Sequence, residues 1–165
     1  MEILYSGEEI TRRITELGRK ISEYYSGKEL TVIALMNGGV FFAVDLVRQM
    51  NIPMWFDSLR ASSYVHDRRT AKVNVCSDLK LPVVGRHLLL VDDVFDSGNT
   101  MEVCRRYLLD AGALSVKSAV LINKTVAERR SMPDWAAFSA PDYYLVGYGM
   151  DSEELYRNVP FVGKF

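Results

Sequence analysis

The chain is expected to fold as an open, mainly parallel α/β sheet flanked by helices. Three observations predict it. Aliphatic runs that suit buried strands alternate along the chain with stretches whose apolar residues repeat at helical spacing. The aliphatic run Leu88-Leu89-Leu90-Val91 ends in adjacent carboxylates, Asp92 and Asp93, as a strand does where it reaches a site at the sheet's edge. No internal repeat, low-complexity tract or linker interrupts the alternation, so residues 1–165 are expected to form one domain.

The elements follow in order. Ser6-Gly7-Glu8-Glu9 is a capping box, with Ser6 as cap and Glu9 three residues on. Ile10, Ile14, Leu17, Ile21 and Tyr24 then repeat at helical spacing, and Gly27 is a stop. Leu30 to Met36 is a β-rich apolar run that leads into Asn37-Gly38-Gly39, and Val40 to Met50 reads as a second helix. Pro53 to Tyr64 contains a strand, with Met54, Phe56 and Leu59 expected to face inward. Val65 to Ala71 is polar and reads as a mobile loop, with Lys72 to Val75 pairing as a strand beyond it. After the Leu88 strand, a helix begins near Thr100, runs from Met101 to Ala111 and stops near Gly112. Val116 to Ile122 is a further strand, with Lys124 just past its end. Ser131 to Ala140 reads as irregular, and Tyr143 to Val146 as a short strand before Gly147-Tyr148-Gly149. Loops after Met36, Val91, Ile122 and Val146 would meet in one crevice at the carboxyl ends of the strands.

Composition narrows the partners. The 165 residues are 48% hydrophobic and 25% charged, with net charge −1 from 20 basic and 21 acidic side chains. Such a balance gives no electrostatic reason to expect nucleic-acid binding. No apolar run reaches the ~20 residues of a membrane span, and the first residues lack the basic and apolar pattern of a secretory signal. Cys76 and Cys104 have no metal-like spacing, which fits a reducing compartment. A cytoplasmic protein is expected.

The chemistry concentrates in Leu88 to Thr100. Two adjacent carboxylates cannot both be buried cheaply without partners. For an isolated pair, the simpler reading is one turn cap and one solvated acid. Here Asp96-Ser97-Gly98-Asn99-Thr100 follows, and it favours a ligand instead. Gly98 permits close backbone approach, Ser97 and Thr100 offer hydroxyls, and the helix start offers unpaired N–H groups suited to a phosphate. The acids ahead of it suit ribose hydroxyls, directly or beside a Mg²⁺ ion.

This stretch resembles the phosphoribosyl-pyrophosphate motif of the type I phosphoribosyltransferases, and the rest of the chain is similar to their hypoxanthine-guanine (6-oxopurine) branch. Met36 to Leu46 resembles the pyrophosphate loop, Ser62-Ser63-Tyr64 the start of the flexible lid, and Leu121 to Lys124 the base-binding strand end. Pro141 to Asp151 with Tyr156 to Pro160 resembles the C-terminal hood. The resemblance implies the type I core with a small hood, Mg²⁺ as cofactor, phosphoribosyl pyrophosphate and a purine base as ligands, and a homodimer or homotetramer.

It also implies roles. Asp96 would be the general base, although helix capping is the ordinary role of an Asp there. Asp92, Asp93, Asp96, Ser97, Gly98, Asn99, Thr100, Asn37, Gly38 and Arg157 would bind phosphoribosyl pyrophosphate. Lys124, Tyr144, Leu145 and Asp151 would bind the purine, with Lys124 on its C6 oxygen and Tyr144 stacked on its ring. Asp92, Asp93 and Asp151 would hold metal, and Ser63 and Tyr64 would belong to the lid. Arg60 would serve a subunit contact or the pyrophosphate. Asn37 and Asn99 depart from the family's common lysines, and the lid carries His66, Arg68 and Arg69 in place of a more neutral stretch. Arg68 or Arg69 would restore the charge missing at Asn37. A xanthine-preferring enzyme and a non-catalytic regulator sensing phosphoribosyl pyrophosphate are the alternatives.

Overall fold

The structure is a computed structural model that describes residues 1–65, 71–76, 79–126 and 131–165. Twelve elements are seen among them. They are β1 (Glu2–Tyr5), α1 (Gly7–Tyr24), β2 (Leu30–Met36), α2 (Gly39–Arg48), β3 (Trp55–Val65), β4 (Ala71–Val75), β5 (His87–Phe95), α3 (Asn99–Asp110), β6 (Ser115–Thr125), β7 (Trp135–Pro141), β8 (Leu145–Val146) and β9 (Val162–Lys164). Six strands form the main sheet in the order β4-β3-β2-β5-β6-β7, and β1-β9-β8 form a small second sheet. All main-sheet neighbours run parallel except β3 and β4.

Side-chain alternation divides the core in two. Val32, Ala34, Leu89 and Val91 pack with Ile10, Ile14, Ile21, Phe42 and Leu46 of α1 and α2. Ile33, Leu35, Leu88 and Leu90 pack with Met101, Cys104 and Leu108 of α3. Each strand is therefore buried on both faces, which is why these runs are apolar throughout. The Ser6–Glu9 capping box starts α1 as expected, with the Ser6 amide donating to Glu9 at 2.8 Å.

Several expectations are corrected. The carboxylates do not end β5: it continues to Phe95, pairing Val94 with Ile122 and Phe95 with Asn123. Lys124 lies inside β6 rather than past it, opposite Ala140. Residues 131–140 are not wholly irregular, because β7 completes the sheet's edge from Trp135 onward. Pro133 falls before the strand and Pro141 ends it, so neither costs a ladder bond in the middle. Phe56 is 42% exposed, not inward. The inward positions of β3 are Asp57 and Leu59, and the buried Asp57 carboxylate accepts the amides of Lys80 (2.8 Å) and Leu81 (2.9 Å). That capped acid hides the strand's alternation. Leu145–Val146 belongs to the small sheet, not to the main one. The small sheet joins the two ends of the chain and forms the expected hood.

Candidate active site

The site lies at the carboxyl ends of β2, β5, β6 and β7, where parallel strands leave their loops on one side of the sheet. The two acids of β5 lie side by side where its alternation breaks. Val91 and Val94 both pack on the α1–α2 side, Leu90 and Phe95 on the α3 side, and the Asp92 and Asp93 side chains share a hydrogen bond. Asp92 lines a cavity of about 80 Å³ with Val94, Phe95 and residues 96–101. The Asp93 carboxylate stands against Gly38 so closely that no Cβ fits there. A Cβ on Gly39 would likewise meet Asp92 Cα and Val91 O at 2.9 Å. The double glycine lets the loop after β2 lie directly on the acid pair.

Electrostatics set this pair apart. Burial, and then the neighbouring Asp93 charge, hold the Asp92 carboxyl well above the usual carboxylate range. Burial raises Asp93 as well, and hydrogen bonds together with the Arg157 charge oppose the rise. Each acid also bonds the following amide: Asp93 N donates to Asp92 Oδ1 at 2.9 Å, and Val94 N to Asp93 Oδ1 at 2.7 Å.

The loop after β5 reaches α3 in three residues. Gly98 has φ +81° and serves as the N-cap with no side-chain cap bond, so Asp96 is not the cap. Gly98 approaches the Phe95 ring to a distance at which a Cβ would meet it at 2.7 Å. Asn99 N donates to Ser97 Oγ at 3.3 Å. The first-turn amides of α3 have no carbonyl four residues back within the helix, and they border the same cavity as Asp92. Such a concavity can take a phosphate without a lysine.

Asp96 lines the same cavity, and its side chain, 57% exposed, also reaches Lys124. Lys124 is only 13% exposed and donates to Asp96 Oδ2 at 3.3 Å and Asp142 Oδ1 at 2.9 Å. Burial alone would lower the Lys124 pKa. The Asp142 hydrogen bond and the Asp96 charge overcome this and raise it. Asp142 is the residue that sequence reasoning missed. Its signal was β7: with Lys124 opposite Ala140, the residue after Pro141 falls beside the lysine.

The hood supplies the remaining groups. Tyr144 is 55% exposed, with its ring 6.3 Å from that of Phe165. Leu145 is buried on β8, an edge strand of the small sheet, and edge strands leave backbone groups to be read. Arg157 donates to Gly149 O (2.8 Å) and Glu154 Oε2 (2.9 Å) and forms an ion pair with Asp151 Oδ1 at 2.8 Å. Asp151 also accepts the Glu154 amide at 2.9 Å. Asp151 is thus tied to Arg157, and among the described residues no three His, Cys, Asp or Glu side chains gather into a metal cage. Arg60, opposite Met36 in the β2–β3 register, donates to Asn37 Oδ1 at 3.1 Å. Ser63 and Tyr64 pair with Val73 and Lys72 in the β3–β4 hairpin, two and three residues out from its base at Ala61 and Val75. His66, Arg68 and Arg69 lie outside the described residues.

The family model for the phosphoribosyl transferase domain matches residues 1–153. The chain belongs to the phosphoribosyltransferase family. Hypoxanthine phosphoribosyltransferase of Salmonella typhimurium is 36% identical over 168 residues, which cover 99% of this chain and 94% of that protein. Hypoxanthine-guanine-xanthine phosphoribosyltransferase of Tritrichomonas foetus is 32% identical over 98% of this chain and 89% of its own. Among solved structures, hypoxanthine phosphoribosyltransferase from Staphylococcus aureus superposes with a TM-score of 0.94 at 27% identity, covering 100% of this chain and 91% of that one. For this phosphoribosyltransferase the expected fold class is borne out, hood included. No helix among the described residues is long and apolar enough to cross a membrane.

Proposed function

We propose that the protein transfers the 5-phosphoribosyl group of phosphoribosyl pyrophosphate to a 6-oxopurine, hypoxanthine or guanine, giving IMP or GMP and pyrophosphate in purine salvage. The observation that carries this reading is Lys124. A mostly buried ammonium held between Asp96 and Asp142 presents only N–H donors, which suits a purine C6 oxygen. The names of the relatives from Salmonella typhimurium and Tritrichomonas foetus support the same substrate class.

In this reading the purine stacks on Tyr144, its edge meets the Leu145 backbone, and Lys124 donates to its C6 oxygen. The 5′-phosphate rests on the amides and hydroxyls of residues 96–100, including Ser97, Gly98, Asn99 and Thr100. Asp92 and Asp93 accept the ribose hydroxyls. The loop at Asn37 and Gly38, with Arg157, faces the pyrophosphate. The C1′–O bond breaks with its electron pair leaving on pyrophosphate, and the purine nitrogen bonds C1′. Asp96 takes the ring proton from N7. Its neighbour Lys124 passes to the C6 oxygen as the base enters, which frees the carboxylate for that proton. The Ser63–Tyr64 segment belongs to a lid that keeps water from the cationic sugar.

The donor set fits Mg²⁺. The ion is a hard cation that takes one or two carboxylates plus substrate oxygens rather than a full protein cage, and Asp92, Asp93 and Asp151 offer carboxylate oxygens without forming one. When bound it neutralises charge on the pyrophosphate. The protein acts as a cytoplasmic homodimer or homotetramer, a state that light scattering on the eluting peak measures.

The test is IMP and pyrophosphate formation from hypoxanthine and phosphoribosyl pyrophosphate, with and without Mg²⁺. Stoichiometric products only with Mg²⁺ are expected. No nucleotide under either condition overturns the proposal.

A further inference from the structure

The hood and the pyrophosphate loop meet at one close approach. Gly149, with φ +100°, lies so near the Gly38 carbonyl that a side chain there would collide with it, and the Phe41 ring closes the other side. Gly149 follows Leu145 by four residues, so main chain alone separates the segment that reads the base from the loop that faces the pyrophosphate. Contact between two glycine backbones has no directional element of its own and would let the two segments slide.

Direction comes from the residue between them. The Tyr148 hydroxyl donates a hydrogen bond to Asp45 Oδ2 on α2, whose first residue is Gly39 of the loop. Tyr148 has φ +50° and is flanked by Gly147 at +89°. A tyrosine rarely adopts this backbone, and it persists only where its surroundings fix it. Tyr148 N donates to Val159 O at 2.8 Å, and Gly149 N to Arg157 O at 3.0 Å. The turn is therefore held on one side by the Arg157 segment and on the other by Asp45. Burial, and then the Asp45 contact, raise the phenol pKa, so the hydroxyl remains a donor. Arg48 Nη1 lies 3.7 Å from the other Asp45 oxygen and helps to fix the acceptor.

We propose that Tyr148 and Asp45 form a positioning pair that sets the spacing between the purine-reading strand β8 and the pyrophosphate loop, so that each substrate's binding depends on the other through this one bond. The inference rests on the functional reading above. Neither side chain touches substrate. Their role is to hold Leu145 and Gly38 at one separation.

The test uses Tyr148→Phe, Asp45→Ala, Asp45→Asn and the Tyr148→Phe/Asp45→Ala double variant in steady-state kinetics and thermal melting. Tyr148→Phe removes one oxygen and no packing. It and Asp45→Ala should each raise KM for hypoxanthine and for phosphoribosyl pyrophosphate together by about tenfold, as loss of a hydrogen bond to a charged group would. Their kcat should stay within about threefold of the parent's, and the double variant should be no worse than either single one. Asp45→Asn keeps an acceptor and should lie near the parent. An unchanged KM pair overturns the inference. So does a loss confined to kcat, or multiplicative effects in the double variant. If the parent protein itself makes no nucleotide, the functional reading fails instead.

Discussion

Replacing Lys124 with Gln separates a specificity role from a structural one. The ammonium offers three donors and no acceptor, and its carboxylate partners keep it charged. A 6-oxo group accepts from it, whereas a 6-amino group meets it donor to donor and leaves both unpaired. That mismatch is worth about 2–4 kcal/mol, on the order of 30- to 1000-fold in kcat/KM between hypoxanthine and adenine. A glutamine amide can turn its oxygen to an amino group and its NH₂ to an oxo group. Lys124→Gln should therefore lower kcat/KM for hypoxanthine by about 10- to 100-fold, the loss of one charge-assisted bond. It should also shrink the hypoxanthine-to-adenine ratio at least about tenfold. Stability should barely move, because Asp96 and Asp142 are more than half exposed and stay solvated alone. Paired assays of the two bases, with a melting curve as control, measure both effects. A ratio equal to the parent's would refute the reasoning.

Three further outcomes are expected. Asp96→Asn should slow turnover by about 10²–10⁴-fold while leaving phosphoribosyl pyrophosphate affinity nearly unchanged by calorimetry; equal turnover would remove Asp96 from the base role. Gly39→Ala places a Cβ 2.9 Å from main-chain atoms of Val91 and Asp92 that cannot yield, so it should cost about 1–3 kcal/mol of stability and weaken binding of inorganic pyrophosphate. Asp134 binds Lys117 (3.0 Å), Arg105 (3.1 Å) and the Ser118 amide (2.8 Å) at the start of β7. Burial opposes its ionisation, but the Lys117 and Ser118 bonds prevail and hold its pKa below the usual value. Such a carboxylate stabilises the fold above its unfolded pKa, and the benefit is lost as pH falls through the depressed native value. Asp134→Ala should lower Tm by about 4–8 °C at neutral pH, near 2 kcal/mol. Melting curves at decreasing pH should show the gap closing below about pH 4.

Much of this was legible in the sequence because its physics is local. The capping box, the Leu88 run and the glycine at 98 each encode their own geometry. The cap and the glycine stand as read, and the Leu88 strand stands except that it runs on past its acids to Phe95. Errors arose where tertiary context decided. β7 is short, bounded by prolines and rich in alanine, so only its parallel pairing with β6 makes it a strand. Missing it hid Asp142, the second partner of Lys124. Asp57 broke the alternation of β3 because two amides from residues 80 and 81 cap it, a contact that periodicity does not encode. Asp96 resembled a helix cap by composition, yet Gly98 holds that place and leaves the carboxylate to Lys124. The Arg60–Asn37 bond brings a guanidinium to the loop from the neighbouring strand, while Arg68 and Arg69, the other arginines named for that charge, lie outside the described residues.

The central claim is a site for a 6-oxopurine and phosphoribosyl pyrophosphate. Its most direct test offers hypoxanthine, guanine, xanthine, adenine and uracil separately with phosphoribosyl pyrophosphate and Mg²⁺, and measures nucleotide formed. The account predicts product with hypoxanthine or guanine, with adenine and uracil at least about 30-fold poorer in kcat/KM. Product with adenine or uracil alone, or with no base at all, would contradict it.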